Sequence, residues 1–352
     1  MAARPARTLA LILAAAGVLL AAGCGGGGGK VSSSTPVDQL LQRTFSGDKQ
    51  VKSGVLDLTV RVDSQSGSSP LNGPLSLRLT GPFESQGKGK LPKFALTADV
   101  EAGGQSLNAG ITSTVDKGYV SFQGTNYVVS DKVWRQFRNG YEQSQSQTKQ
   151  SQGQSLSALG IDPRRWLTNP RNAGETKVGD ADVVRITGGV DVSKLLDDVN
   201  TLIEKGKAIG GSATKNVPQK LTPQEKQQAL QAIRNPSVEI DTGKDDATLR
   251  RAIVNFGLAV PKTASTPAQT AKVSLDLKLT QLNQGQDISA PSNPKPFTQL
   301  LQSLNGLAGL AAGGSSGGGA ASGDTLKRYS QCVNAAGGDS AKARKCADLL
   351  TP

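Results

Sequence analysis

The sequence predicts an α+β fold, built from one long, curved antiparallel sheet that helices cover on one face. Two patterns predict it. Apolar and polar residues alternate with period two in several segments, as in Leu56 to Val62, and this alternation is typical of strands with one buried face. Apolar residues in Val192 to Lys205 repeat at helical spacing, so this segment is expected to pack a stripe against the sheet.

The elements follow in chain order. Thr35 and Pro36 begin a first helix, because a capping residue precedes a proline at the first helical position. The clearest strands are predicted around 56–62, 75–79, 94–100, 107–115 and 273–279. Shorter strands are predicted at 118–123, 127–130, 182–187, 237–241 and 252–260. Thr222 and Glu225 form a capping box that starts a further helix, and the leucine spacing in 297–307 predicts a last one.

The N-terminal residues are organised like a secretory leader with a lipid attachment site. Two arginines precede an uncharged Leu/Ala-rich run at 8–20, which is too short to span a bilayer, and a small-residue site ends in Cys24. This resembles a bacterial lipoprotein signal peptide over residues 1–23, with Cys24 as the acylated residue. The alternative is an ordinary secretory signal with a chance cysteine. Gly and Ser then predict a flexible tether over 24–35.

Charge and composition narrow the function classes. The chain has 40 Lys+Arg against 28 Asp+Glu, which favours anionic partners; outside the cytoplasm these are phospholipid surfaces and not nucleic acid. A basic surface that only aids solubility is the alternative. With no histidine in 352 residues, the commonest general base and metal ligand is missing. Ser46-Gly-Asp-Lys49 and Ser146-Gln-Thr-Lys149 match a Ser-x-x-Lys pattern without its partner motifs, so we predict no enzyme, no metal and no cofactor.

A resemblance to a known family rests on the order and the residue pattern of three segments. The hairpin Lys117 to Tyr127, the run Pro163-Arg-Arg-Trp166 and the segment Gly174 to Gly188 resemble the LppX/LprG group of lipoproteins, which belongs with the LolA-like lipid carriers. The resemblance covers about 36–290. It implies a half-open barrel with helices across its mouth, enclosing an apolar cavity for acyl chains. The chain departs from the pattern at 143–154, at 206–236 and after 291.

The resemblance implies a noncatalytic lipoprotein, anchored on the extracytoplasmic face of the cell membrane, that binds an acylated lipid or glycolipid and carries or presents it. A stress-sensing regulator of the same fold, which binds a membrane protein partner, is the alternative, and a packed structural lipoprotein with a closed, dry core is a third. The predicted cavity-lining residues are Leu56, Leu58, Val60, Leu77, Phe94, Leu96, Ile111, Phe122, Leu196, Val199, Val254, Phe256, Leu275 and Leu277.

Two short motifs pair a tryptophan with arginines, a combination suited to lipid headgroups. The predicted membrane or headgroup contacts are Trp134, Arg135, Arg138, Arg164, Arg165 and Trp166. In the alternative interpretation both tryptophans anchor helix ends in the core while the arginines stay solvated.

The C-terminal part is predicted to be an appendage. Residues 291–323 are expected to form an amphipathic helix and a Gly-rich linker, and 324–352 a basic helical hairpin. Because a hairpin of this size cannot hold a core, Cys332 and Cys346 are predicted to form a disulfide. A zinc site is disfavoured, since neither a histidine nor a third cysteine is near.

Overall fold

The structure is a computed structural model that describes residues 30–45, 51–66, 74–87, 89–147, 163–210, 220–260 and 268–301. The chain divides into two units, Met1–Pro294 and Lys295–Pro352. The first unit holds the sheet and its helices. In the second, the described residues form the two-residue strand β12 (Lys295–Pro296) and a helical segment at 297–301.

The first unit is α+β, as predicted. Its helices are α1 (Val37–Phe45), α2 (Asp131–Gln147), α3 (Val192–Gly210) and α4 (Pro223–Ala232), with a 3-10 turn at Pro163–Trp166. Its strands are β1 (Ser53–Ser66), β2 (Leu75–Glu84), β3 (Lys93–Ala102), β4 (Gln105–Ser113), β5 (Gly118–Phe122), β6 (Thr125–Val128), β7 (Leu167–Val178), β8 (Ala181–Val190), β9 (Ile233–Gly243), β10 (Leu249–Val260) and β11 (Gln269–Thr280).

The eleven strands of this unit form one curved, unclosed sheet in the order β6-β5-β4-β3-β2-β1-β11-β10-β9-β8-β7. Each neighbouring pair in that order is antiparallel. The first and last strands of this unit, β1 and β11, pair with each other in the middle of the sheet. Strands β1 to β6 lie on one side of this pairing and β7 to β11 on the other. The prediction of a curved antiparallel sheet is therefore confirmed for the strands of this unit.

Strand direction defines two ends of the sheet. At one end β1, β3, β5, β8 and β10 begin, while β2, β4, β6, β7, β9 and β11 finish. We call this the lower end. It includes Ser53, Glu84, Gly118, Gly243 and Thr280, because the strand registers bring these residues to the same level.

Helix α1 closes one part of the sheet. The apolar side of the helix buries Leu40 completely and Leu41 almost completely. Thr44 Oγ1 lies 2.7 Å from Thr242 Oγ1 of β9. This helix and the strands β1, β8, β9, β10 and β11 share one buried cluster, whose members include Leu58, Ile186 and Leu277. We call this part the closed half. Because the apolar side chains of the closed half are already packed together, this packing gives no indication of space for a ligand.

Residues 30–35 differ from the prediction of a flexible tether. Val31 is 2% exposed, its N–H donates to the Lys244 carbonyl over 2.8 Å, and Ser33 N–H donates to a Glu175 carboxylate oxygen over 3.1 Å. The segment therefore docks on the β7 and β9 side of the lower end before α1 begins. The Gly-rich composition that predicted flexibility ends at Gly29, where the packed side chain of Val31 takes over.

Two elements are absent from the sequence-based prediction, β7 and α2. Strand β7 contains Pro170 and has β8 as its described partner; an edge position tolerates a residue without an N–H, and the alternation is weak there. Helix α2 is rich in Gln, Ser and Arg, so its apolar stripe is short. The capping box at Thr222 is confirmed, with both reciprocal hydrogen bonds present.

Several predicted features lie outside the described residues. These are the signal peptide, Cys24, the Gly-rich linker and the hairpin with Cys332 and Cys346. The fold class is confirmed for the sheet and its helices; the disulfide-linked hairpin stays a prediction. Among the described helices, none has both the length and the apolar character that a membrane crossing requires.

Candidate functional site

One face of the sheet is apolar from β5 to β8. Directly opposed residues of an antiparallel pair point to the same face, and the register sets Leu58 opposite Leu79, then Ala98, Ala109 and Phe122. Parallel rows above and below repeat the pattern with other aliphatic residues. The alternation seen in each strand thus adds up to one continuous surface, which we call the apolar face.

The apolar face is covered on the closed half and open on β2 to β5. Side chains of β1 and β11 such as Leu58 and Leu277 are 3% and 0% exposed. In β4, by contrast, Leu107 and Ile111 are 43% and 38% exposed. The apolar side chains of β2, β3 and β5 are all half-buried, among them Leu75, Leu77, Leu79, Phe83, Phe94, Leu96, Val100, Val120 and Phe122. We call this surface the open half.

Small residues form the middle of the open half. Ala98 of β3 lies between Leu79 of β2 and Ala109 of β4 in one row. Two adjacent alanines leave the centre of the surface lower than its leucine and phenylalanine surroundings. The surface runs about 20 Å along β3 from Phe94 to Val100, at about 3.3 Å per residue. Its shape and chemistry suit a flexible hydrocarbon chain better than a polar ligand.

The predicted cavity-lining residues divide between the two halves. Leu56, Leu58, Val60, Leu275 and Leu277 belong to the closed half and are buried in its cluster, and their role in lining a cavity stays a prediction. Leu77, Leu96 and Val254 are partly buried against that core. Phe94, Phe122 and Ile111 lie on the open half, while Phe256 and Leu196 are half-buried in β10 and α3. The side chain of Val199 is outside the described ones. The sequence pattern could not separate these groups, because the same alternation occurs in both.

Helix α2 is fastened to the open half by Trp134. The side chain is 3% exposed, and its indole N–H donates to the Val115 carbonyl over 2.9 Å. Its ring lies against Gly118, where a Cβ would come within 2.0 Å of the ring carbon Cε3. Trp134 is therefore an interior anchor in this conformation, which favours the alternative interpretation of this motif. Its neighbour Arg135 is exposed, and Arg138 Nη1 lies 3.2 Å from an Asp116 carboxylate oxygen.

Two exposed apolar residues of α2 were missed by the sequence analysis. Val133 is 52% exposed and Phe137 is 48% exposed, and the Phe137 ring centroid lies 5.2 Å from that of Trp134. Residues four apart share one side of a helix. An apolar pair at this spacing in an otherwise polar helix was the available signal. Among the described residues of the first unit, the large apolar side chains that are exposed lie on β4 and on this helix.

The second tryptophan motif also has a structural partner. The indole N–H of Trp166 donates to the Asp198 carboxylate of α3 over 2.8 Å, and Trp166 is half-buried. Its backbone carbonyl accepts from Asp191 N–H, and Asp191 Oδ1 in turn accepts from Lys194 N–H in the first turn of α3. That capping bond lowers the pKa of Asp191. Arg164 and Arg165 are exposed beside it. Their predicted role at a membrane stays a prediction.

The opposite face of the sheet carries ion pairs in a row. Arg185 donates two hydrogen bonds to Asp241, at 2.8 and 2.9 Å, and Asp241 is fully buried. Arg251 grips Asp276 in the same two-pronged way, at 2.8 and 2.6 Å. These bonds raise the pKa of both arginines, so the guanidinium groups stay charged. This face is polar and internally paired.

The row of ion pairs continues on the same face, in the other half of the sheet. Arg78 of β2 donates to both carboxylate oxygens of Asp57, at 3.1 and 2.8 Å. The hydrogen bonds from Arg78 lower the pKa of the Asp57 carboxyl, although partial burial opposes the shift. Asn108 donates to Asp99 on the two strands beyond. Because this face carries charged residues from β3 to β10, an apolar ligand fits the other face better.

A crevice of about 470 Å³ opens at the upper end of β1 to β4. Its lining is mostly polar, with Arg61, Asp63, Glu101 and Gln105 among the residues. This is not the apolar cavity that the resemblance implies. In the part of the chain that the structure describes, the apolar face is open on β2 to β5, not enclosed.

Of three comparisons with known proteins, the search of solved structures returned matches. No family model and no curated protein matches the chain. Solved structures that match include LprF from Mycobacterium bovis, with 12% identity and a TM-score of 0.33, over 74% of this chain and 99% of that one. They also include the lipoprotein LppX from Mycobacterium tuberculosis, with 11% identity and a TM-score of 0.29, over 67% of this chain and 90% of that one. The search thus returns the LppX/LprG group that the sequence resembles. The proposals below rest on this chain's own residues.

Proposed function

We propose that this protein is a lipoprotein of the cell envelope, anchored through Cys24 on the extracytoplasmic face of the membrane, that binds an acylated lipid or glycolipid without catalysis and carries or presents it. The observation that carries the proposal is the open half of the apolar face. Its aliphatic residues, Leu107 and Ile111 above all, keep a large part of their surface exposed. A soluble protein rarely leaves such a contiguous surface without an occupant.

Hydrocarbon is the occupant whose chemistry fits. Each methylene group that leaves water gains about 0.8 kcal/mol, so one long acyl chain on this surface needs no polar contact to bind well. The low centre at Ala98 and Ala109 provides space for the chain between bulkier neighbours. The opposite face carries the ion pairs of Arg78, Arg185 and Arg251 with aspartates, so hydrocarbon is poorly suited to that side.

The test places a bulky side chain on the open half and, as a control, on the opposite face of the same strand. Ala98→Trp places an indole in the low centre, whereas Thr97→Trp places it on the polar face one residue away. The full-length acylated protein and both variants are purified from a lipid-rich bacterial host, and bound lipid is measured by solvent extraction and native mass spectrometry.

We expect the wild-type protein and Thr97→Trp to carry lipid close to one per chain, and Ala98→Trp to lose most of it. Equal lipid content in the two variants, or a wild-type chain with no bound lipid, overturns the proposal. In the second case a membrane protein partner recovered at one-to-one stoichiometry would establish the sensor alternative instead. Unfolding curves of both variants confirm that the sheet is intact.

A further inference from the structure

The N-terminal segment ties the lower end of the sheet to the proposed anchor. Val31 N–H bonds the carbonyl of Lys244, which follows β9 directly at that end. Asn172 of β7 holds the same segment by donating to the Ser33 carbonyl over 2.9 Å. Val31 lies seven positions after Cys24 in the chain, and even fully extended backbone of that length spans at most about 25 Å. An acylated Cys24 therefore keeps the lower end near the bilayer.

Helix α2 lies at the same lower end, on the open half. It begins three residues after β6 finishes, and Trp134 fixes it to Val115 and to Gly118, the first residue of β5. The two observations are independent, because Val31 docks on the β7–β9 side and Trp134 on the β4–β5 side. The Val31 contact places the N-terminal segment, and the Trp134 contact places α2, at the lower end, where β5 and β10 begin.

The exposed surface of α2 combines apolar and basic side chains. Val133 and Phe137 are each about half exposed, and Lys132 and Arg135 are exposed on other sides of the same helix. The whole chain has a formal net charge of +12. A helix that exposes an apolar pair and also long basic side chains favours the interface of a bilayer with anionic headgroups, where the ring enters the acyl boundary and the cations reach phosphate.

We propose that the lower end of the sheet faces the membrane and that Val133 and Phe137 of α2 insert into the surface of a bilayer that contains anionic phospholipid. The proposal rests on the proposed function, because it takes Cys24 to be acylated. Trp134 is the positioning residue, since it holds α2 against β5. In this orientation the apolar face extends from the bilayer surface along the strands β2 to β5, so an acyl chain can pass from membrane to protein without crossing water.

The test measures where an added tryptophan meets lipid. The acylated full-length protein is reconstituted into vesicles of phosphatidylcholine and phosphatidylglycerol, with and without bromine on the acyl chains. Val133→Trp and Phe137→Trp are compared with Ser106→Trp, an exposed residue at the upper end and on the polar face. Wild-type emission supplies the background from Trp134 and Trp166.

We expect brominated lipid to quench the added tryptophan at 133 and 137 at least two-fold more than at 106. In phosphatidylcholine alone, or when Lys132→Gln and Arg135→Gln are combined with Phe137→Trp, the quenching falls several-fold. Arg171→Gln, which removes an exposed arginine from β7, leaves it unchanged. Equal quenching at 106 and 137, or none at 133 and 137, overturns the proposal.

Lipid extraction from the same preparations separates this inference from the proposed function. A chain that carries lipid but shows no quenching at 133 and 137 refutes the docking surface alone. A chain that carries no lipid yet is quenched at those positions refutes the carrier function and keeps the docking surface. Quenching that is independent of headgroup charge refutes the role of Lys132 and Arg135.

Discussion

The indole N–H of Trp134 donates to the carbonyl oxygen of Val115 over 2.9 Å, and this bond joins α2 to the turn between β4 and β5. Val115 has a positive φ of 75°, which a β-branched residue seldom adopts, so the turn is held in a costly conformation. The bond and the contact of the ring with Gly118 together explain why a largely polar helix packs on an apolar face.

The contact between Trp134 and Gly118 can be tested with two glycines. Gly118→Ala puts a Cβ within 2.0 Å of the ring, so the helix must shift, and we expect a loss of about 1–3 kcal/mol in the free energy of unfolding. In Gly140→Ala, by contrast, the new Cβ meets nothing within 4 Å, and we expect a gain of about 0.5–1 kcal/mol from reduced backbone entropy. Denaturant unfolding measures both. Equal effects would show that the ring does not pack as described.

The free energy of unfolding should be sensitive to loss of Arg185, the partner of the buried Asp241. Arg185→Gln leaves the fully buried Asp241 without its two-pronged donor, and we expect destabilisation of about 3 kcal/mol or more. Lys177→Gln removes an equally short pair with Asp182 that is well exposed, and about 0–1 kcal/mol is expected there. Thermal and denaturant unfolding of the two variants provide the comparison. A similar small change in both would mean that burial of Asp241 does not amplify the interaction.

The pair between Asp57 and Arg78 predicts a pH dependence at the acidic end. Because Arg78 lowers the pKa of Asp57 below its ordinary value of 3.8, the folded state binds a proton less readily than the unfolded chain. The pair therefore stabilises the fold fully above that value, and the contribution is lost as the pH falls through the lowered pKa. We expect the stability difference between wild type and Asp57→Asn to shrink between pH 5 and the acid limit, as measured by urea unfolding.

Arg78→Gln serves as the control for this titration. It removes the cause of the shift while leaving the carboxyl in place, so the stability difference from wild type should decline over the same range of pH. A difference that stays constant down to the acid limit would contradict the assignment of the shift to Arg78.

The sequence was most informative where one face alone is buried. Alternation predicted β1 to β4 and β11 because a strand with one packed face must repeat with period two, and the heptad-like stripe predicted α3 for the corresponding reason. It failed at β7, where an edge position removes the need for alternation, and at α2, where one buried tryptophan does the work of a stripe. The role of Trp134 depends on Gly118, which is 16 residues away in the chain and adjacent only in the fold.

By itself the sequence determined the class of fold, the two-faced character of the sheet and the leader-like pattern that ends at Cys24, because each follows from local spacing and residue type. Only the tertiary structure decided which part of the apolar face is closed and which is open. Val60 and Leu107 lie in one row of the apolar face, yet Val60 is packed in the cluster that includes α1 and Leu107 is exposed. Coverage depends on where a distant helix docks, and the periodicity of a strand contains no information about that.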